Sequence, residues 1–207
     1  MRMGVVDVGN SRTKRALFDG ARLRPFQGPV DGWIGVRVGK APVPKGTLLL
    51  GRDFPALVKN RTRRPEAVGG DRLAQASAAW YRTKAACVVV SMGTAITKDF
   101  VNARGEFVGG VIAPGLRMMA RGLHEHTALL PEVRFRRRRE IGRDTVEAIQ
   151  AGLSFAAEGV ILRSLPDPCP VLFGTGGDAA LFRDHFDVLV PDLALEGVVR
   201  SWQAWRS

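Results

Sequence analysis

One short phrase occurs twice in this chain, and its residue types suit the handling of phosphate. Val5-Val6-Asp7-Val8-Gly9-Asn10-Ser11 is followed by Lys14, and Val89-Val90-Ser91-Met92-Gly93-Thr94-Ala95 is followed by Lys98. Each copy reads as a buried apolar strand that stops at a glycine-centred turn furnished with hydroxyl and amide groups. Gly9 and Gly93 let the backbone pass close to a ligand, so that turn N–H groups face anionic oxygens. Asn10, Ser11, Thr94 and Thr97 add donors. Asp7 ends an apolar strand, where an acidic side chain facing a nucleotide suits a ligand of hydrated Mg²⁺, and Lys14 suits neutralisation of phosphate charge. A single D-x-G-N-S phrase also fits an ordinary strand-turn-strand; its duplication, one turn per half, argues for a phosphate clamp. The copies differ at Ser91, which stands where the repeat would place a second Asp. A hydroxyl binds phosphate or water but brings no charge to hold a cation.

Positioning these turns requires strands before them and helices behind them. Strands are expected over residues 4–8 and 14–19, with shorter pieces at 33–38 and 47–50 in a stretch rich in Gly, Pro and Arg. Leu73, Ala76 and Trp80 recur at helical spacing, which predicts a helix over 71–81 with Trp80 in the core. The pattern then restarts. Strands are expected at 86–90 and 96–101, a hairpin turn at 102–105 and a returning strand at 107–113. Helices follow at about 116–127 and 145–165, the second capped by Asp144 or Thr145. A strand at 170–173 runs into Gly174-Thr175-Gly176-Gly177-Asp178, and helix, strand and helix complete the chain. The whole is an α/β pattern with mixed sheets, read as two lobes, 1–84 and 85–207, with a nucleotide expected in the cleft between them. Neither a Walker A loop nor a G-x-G-x-x-G sequence is present.

Composition bounds the partners without choosing one. The 207 residues allow one large domain or two small ones, and the formal charge of +11 suits anionic partners or simply solvated arginines. Cys87 and Cys169 form no C-x-x-C spacing or disulfide framework, which suits a reducing cytoplasm. No signal-peptide pattern opens the chain and no apolar run reads as long enough to span a bilayer, so a soluble cytoplasmic protein is expected. His124, His126 and His185 lie near helix ends without metal-ligand spacing. The run Arg134-Phe135-Arg136-Arg137-Arg138-Arg139, reinforced by Arg61, Arg63 and Arg64, is the best support for nucleic-acid binding. No base-reading motif accompanies it, and it reads as a solvated loop or edge strand.

The sequence resembles the type III pantothenate kinases, members of the actin, sugar kinase and Hsp70 superfamily. Asp7-Val8-Gly9-Asn10-Ser11 with Lys14 looks like that family's first phosphate motif. Gly70-Asp71-Arg72 after Pro65 looks like its Gly-x-Asp-Arg substrate motif. Gly93-Thr94-Ala95 with Thr97 is similar to the second phosphate motif, and residues 109–115 to a Gly-Gly-x-Ile-x-Pro-Gly signature. Gly142-Arg143-Asp144-Thr145, Thr175-Gly176-Gly177-Asp178-Ala179 and residues 191–197 match as well, all in the family's order.

The resemblance implies two ribonuclease H-like lobes of the actin-like ATPase superfamily, with mixed sheets flanked by helices. It implies ATP-dependent phosphorylation of the primary hydroxyl of pantothenate, by positioning and charge stabilisation during in-line transfer. Asp7 would hold Mg²⁺, and Lys14 and the two glycine turns the phosphates. Asp71 would orient or deprotonate the attacking hydroxyl, although by itself an acid there also fits a helix N-terminus stabilised by the macrodipole. Gly69, Gly70, Arg72 and Thr145 would contact pantothenate, and Gly176 and Gly177 would lie near the adenosine. A homodimer is implied too, because the family's pantothenate pocket involves the subunit interface. Three departures stand out. The family has Asp where Ser91 stands, at a position associated with a monovalent cation such as K⁺ or NH₄⁺. It has an aromatic residue where Thr62 stands, and residues 20–69 look shorter than in typical members. A second expectation therefore accompanies the first: a member that binds nucleotide or a pantothenate-like ligand in a regulatory role without turnover.

Overall fold

A computed structural model describes residues 1–166 and 170–207; Cys169 lies outside the described residues. The first sheet has the order β3-β2-β1-β4-β5, built from β1 (Met3–Val8), β2 (Thr13–Phe18), β3 (Leu23–Pro25), β4 (Gly32–Arg37) and β5 (Leu48–Leu49). β1 runs antiparallel to β2 and parallel to β4, with Asp7 opposite Lys14 on one side and Val36 on the other. Val5, Val6 and Val8 are fully buried, as a valine-rich central strand covered on both faces should be. Asp7 is the one position of β1 that is not.

The second sheet has the order β11-β10-β7-β8-β9-β6. Its strands are β6 (Lys59–Asn60), β7 (Cys87–Met92), β8 (Ala95–Val101), β9 (Glu106–Pro114), β10 (Val171–Thr175) and β11 (Val188–Leu189). Gly105 turns β8 into β9 with φ +74°, and a side chain there would meet the Trp80 indole at 2.8 Å, so the glycine is fixed by both conformation and space. Trp80 is accordingly half-buried under this hairpin.

The described residues also form four α-helices, α1 (Gly70–Thr83), α2 (Leu116–Glu125), α3 (Thr145–Leu162) and α4 (Leu193–Arg206), and two short 3-10 helices, Pro65–Ala67 and Ala179–His185. The chain separates into two compact units, one of residues 1–89, 99–109 and 192–207, the other of residues 90–98 and 110–191. In the first unit α1 lies against α4. Residues 73–79 of α1 are all buried, so its middle is enclosed on every side, and a methyl group on Gly197 of α4 would fall 1.7 Å from the Ala74 carbonyl oxygen. Small side chains on both partners thus set the approach of the two backbones.

In the second unit α3 is capped by Asp144, whose carboxylate accepts the Glu147 N–H at 2.8 Å, while Glu147 in turn accepts the Arg143 N–H at 3.0 Å. This resolves the cap in favour of Asp144, and Thr145 becomes the first helical residue. α3 ends at Leu162, three residues earlier than expected, where its carbonyls take other donors. The expectation that no apolar run reaches membrane-spanning length needs correcting. The 18 residues of α3 have a mean hydropathy of 1.2, long and apolar enough to cross a bilayer on those two criteria. Its polar groups are nevertheless committed to protein: Glu158 pairs with Arg137 at 2.7 Å, Glu147 pairs with Arg138, and buried Ser154 accepts the Arg138 N–H at 2.9 Å. Seven of its residues, among them Ile149, Leu153, Ala157 and Ile161, are buried in its unit, while Val146, Phe155 and Leu162 remain exposed.

Candidate active site

The first glycine turn is shaped by a residue the sequence reading did not single out. The Gly9 N–H donates to the Arg12 carbonyl at 3.1 Å, and the Val38 and Gly39 N–H groups both donate to the Val8 carbonyl at 2.9 Å. A methyl group on Gly39 would lie 2.2 Å from the Gly9 oxygen, so only glycine lets the segment after β4 close on this turn. Asn10 and Ser11 remain exposed at its tip.

Around the turn the first unit gathers acids. Asp7 Oδ1 is buried with no hydrogen-bond partner. Burial pushes the Asp7 carboxyl up to about 6, the Asp71 carboxylate and then Asp192 push the same way, and Lys14 and Arg12 oppose them. Asp71, in the first turn of α1, is also raised by burial, against the Arg72 N–H that its Oδ1 accepts at 2.9 Å. Lys14 donates to Asp192 Oδ1 at 2.8 Å, which places an acid from the start of α4 beside the cation of β2. Asp7 and Asp71 are 64 residues apart in sequence, and the structure brings them within electrostatic reach in one unit. Gly69 and Gly70 admit this approach: a methyl group on Gly70 would press on Val36 at 2.7 Å, and one on Gly69 on Asp71 Oδ1 at 2.6 Å.

These residues fit a divalent cation. An orphaned, buried carboxylate oxygen in the field of two further acids is a hard-oxygen donor whose ionised form a bound Mg²⁺ would stabilise. Arg72 is differently placed from a free substrate ligand. Its Nε and Nη2 donate to both oxygens of Asp99, with Nε to Oδ1 at 3.0 Å, and its guanidinium lies 5.5 Å from the Phe107 ring centre.

The second unit assembles three of the expected motifs by backbone contact. The Gly93 N–H donates to the Ala95 carbonyl at 3.0 Å, and the Gly115 N–H to the Thr94 carbonyl at 3.0 Å. A methyl group on Gly115 would fall 2.1 Å from the Gly93 oxygen. Gly176, at φ +92°, approaches Met92 so closely that a methyl group would fall 2.4 Å from its oxygen. The Asp178 N–H donates to that same oxygen at 3.1 Å. The Gly93–Thr94 turn, the end of β9 and the Gly176–Gly177 turn thus form one cluster with Gly93, Thr94 and Gly177 exposed, and Thr97 and Ser91 half-buried. Thr145 opens α3, exposed, above Gly142, where a methyl group would fall 2.1 Å from the Ala148 nitrogen.

Lys98 departs from its counterpart Lys14. It is fully buried, and its ammonium donates to the Ile161 and Arg163 carbonyls at 2.8 and 2.6 Å, neutralising the C-terminal end of α3. It has no access to a ligand's phosphate. The arginine run is also largely spoken for: Arg137 pairs with Glu158 and Asp184, Arg138 with Glu147, and Arg139 with Asp184 at 2.9 Å. It forms an irregular segment, neither strand nor helix. Thr62 donates to Asn60 Oδ1 at 2.9 Å and closes the turn after β6.

Residues 46–165 match the sequence model of the type III pantothenate kinases. The chain belongs to the type III pantothenate kinase family. Type III pantothenate kinases from Dehalococcoides mccartyi (35 % identical over 161 residues, 73 % of this chain and 62 % of theirs) and Akkermansia muciniphila (40 % over 146 residues, 65 % and 60 %) are among its relatives. A third, from Syntrophotalea carbinolica, is 35 % identical over 171 residues, 78 % of this chain and 65 % of its own. The chain therefore spans three fifths to two thirds of the length of these relatives. A crystal structure of a Baf family protein from Campylobacter jejuni superposes with a TM-score of 0.68 at 21 % identity, covering 97 % of this chain and 98 % of that one. Component A of (R)-2-hydroxyglutaryl-CoA dehydratase from Acidaminococcus fermentans gives 0.52 at 13 %, covering all of both chains. The fold, mixed sheets with flanking helices, is shared with both of these structures.

Proposed function

We propose that this chain phosphorylates pantothenate with ATP, giving 4'-phosphopantothenate for coenzyme A biosynthesis. The observation that carries the proposal is the pairing of Asp7 with Asp71. The family relation names the reaction, and these two half-buried acids of one unit would supply its two requirements. Asp7, with its unpartnered Oδ1, would hold Mg²⁺, which when bound neutralises phosphate charge. Asp71, raised above the ordinary carboxylate range, would accept a hydrogen bond or proton from the attacking hydroxyl. Lys14, Asn10, Ser11 and the Gly9 turn would bind phosphate oxygens, as would Gly93, Thr94 and Thr97. Gly176 and Gly177 would border the adenosine, and Gly69, Gly70, Arg72 and Thr145 the pantothenate.

The same reading would make the protein a cytoplasmic homodimer. Because Ser91 brings a hydroxyl in place of a charge, monovalent cation binding at that position would be weakened. A coupled assay of pantothenate with ATP, run with and without Mg²⁺ and with Na⁺, K⁺ or NH₄⁺, tests all of this. Mg²⁺-dependent product is the expected result, with little stimulation by K⁺. ATP binding without product would end the proposal.

A further inference from the structure

Asp99 on β8 is 1 % exposed, and among the described residues no other carboxylate is buried to that degree. It grips Arg72 through both oxygens: Nε donates to Oδ1 at 3.0 Å and to Oδ2 at 3.2 Å, and Nη2 donates to Oδ1. Arg72 is itself only 14 % exposed, stacks over Phe107 at 5.5 Å, and gives its backbone N–H to Asp71 Oδ1 at 2.9 Å. A buried ion pair of this kind adds little stability over apolar residues of the same volume, because desolvation cancels most of the attraction. What it does supply is orientation. A long, rotamer-rich side chain is held by a planar fork on one edge and an aromatic ring on one face, so its ordering cost is met before any ligand arrives. Nε and Nη2 are committed to Asp99, whereas Nη1 donates to no atom among the described residues. The fixed guanidinium lies within electrostatic reach of the Asp71 carboxylate, whose charge it favours.

We propose that Asp99 is a positioning residue for the substrate: it holds Arg72 so that Nη1 meets a polar or anionic oxygen of the hydroxy acid whose hydroxyl lies at Asp71. The inference rests on the kinase reading above. It differs from a purely architectural role, in which the Arg72–Asp99 pair merely staples α1 to β8 and the substrate does not depend on it.

Pantothenate binding is measured by calorimetry without nucleotide, and KM for pantothenate, KM for ATP and kcat by coupled assay, in the wild type and three variants. Asp99→Asn should raise the pantothenate Kd and KM about ten-fold or more, the scale of a charge-assisted hydrogen bond, and leave KM for ATP unchanged. Arg72→Lys should do the same, since an ammonium cannot reproduce the fork. The apolar replacement Asp99→Leu/Arg72→Met should recover the wild-type melting temperature without recovering pantothenate affinity, and it decides the matter where Asp99→Asn fails to fold. Recovery of both by the apolar pair, or a folded Asp99→Asn with wild-type pantothenate KM, overturns the inference and leaves the kinase reading standing. A wild-type chain that neither binds nor phosphorylates pantothenate removes both together.

Discussion

Replacing Asp7 by Asn should stabilise the metal-free protein while abolishing turnover, and the size of the gain follows from the burial of its carboxylate. The carboxyl is raised from 3.8 to about 6, chiefly by desolvation and next by Asp71. Two units correspond to about 3 kcal/mol of penalty on the ionised form, at about 1.4 kcal/mol per unit. The sign follows from linkage. Between pH 3.8 and about 6 the folded state keeps a proton that the unfolded chain has lost, so the contribution of this group to stability declines as pH rises and stays low above 6. Asn carries no charge and escapes the penalty. The melting difference between Asp7→Asn and wild type, measured in EDTA by scanning calorimetry, should therefore be near zero at pH 3.5, open through pH 4–6 and level off by pH 7. For a chain of this size the plateau is about 6–12 °C as an upper bound. Excess Mg²⁺ with a non-hydrolysable ATP analogue should close most of the gap by stabilising only the wild type, by about 2.7 kcal/mol at a hundred times Kd. A variant that melts below the wild type at pH 8 in EDTA would refute the argument that this acid is held against its own solvation for the sake of a cation.

The remaining predictions separate the two copies of the repeated phrase. Lys14→Met should raise KM for ATP, whereas Lys98→Met should leave KM for ATP unchanged and lower stability by about 1–3 kcal/mol through two undonated carbonyls; the opposite assignment in steady-state kinetics and melting would refute the division. Gly115→Ala sets a methyl carbon 2.1 Å from one backbone oxygen and 2.6 Å from another, neither of which can swing aside. It should cost roughly 2–3 kcal/mol or more, and a loss under 1 kcal/mol by urea titration would contradict the close approach. Burial pushes the Cys87 thiol up to about 11. In a Cys169→Ser background it should resist Ellman's reagent at pH 8 until the protein is unfolded, and rapid labelling of the native state would overturn that placement.

Much of the fold was legible because its signals are local. The valine run of β1, the apolar period of α1 and the Asp144 cap each depend on residues within a few positions of one another, and each element appears where its pattern calls for it. The elements that the pattern missed, β3 and β6, are only three and two residues long and owe their existence to a neighbouring strand rather than to their own composition. The site was legible as motifs and not as an arrangement. Nothing local to Gly39 announces that its missing side chain admits the Gly9 turn, and nothing near residue 99 tells that its acid meets Arg72, because both facts arise from chain crossings 27 or more residues long.

The duplicated phrase shows how far a shared sequence pattern can mislead about shared chemistry. Both copies end an apolar strand in a glycine turn, and both turns are held by a second glycine whose side chain would strike a backbone oxygen, Gly39 in one case and Gly115 in the other. That common part is steric and demands no charge. The charged positions diverged. At the first copy an acid stands beside a lysine whose ammonium reaches a surface carboxylate, so both remain at a partly open site. At the second, the acid has become Ser91 and the lysine is buried against helix carbonyls. An ammonium there would be lost to a ligand even if Asp were restored at 91, so reintroducing that acid would supply a cation position but would not recreate the lysine proposed to bind phosphate at the first turn. The glycine-turn geometry is therefore kept in both units, while the charges that the proposed phosphoryl transfer would use are concentrated around Asp7, Lys14 and Asp71.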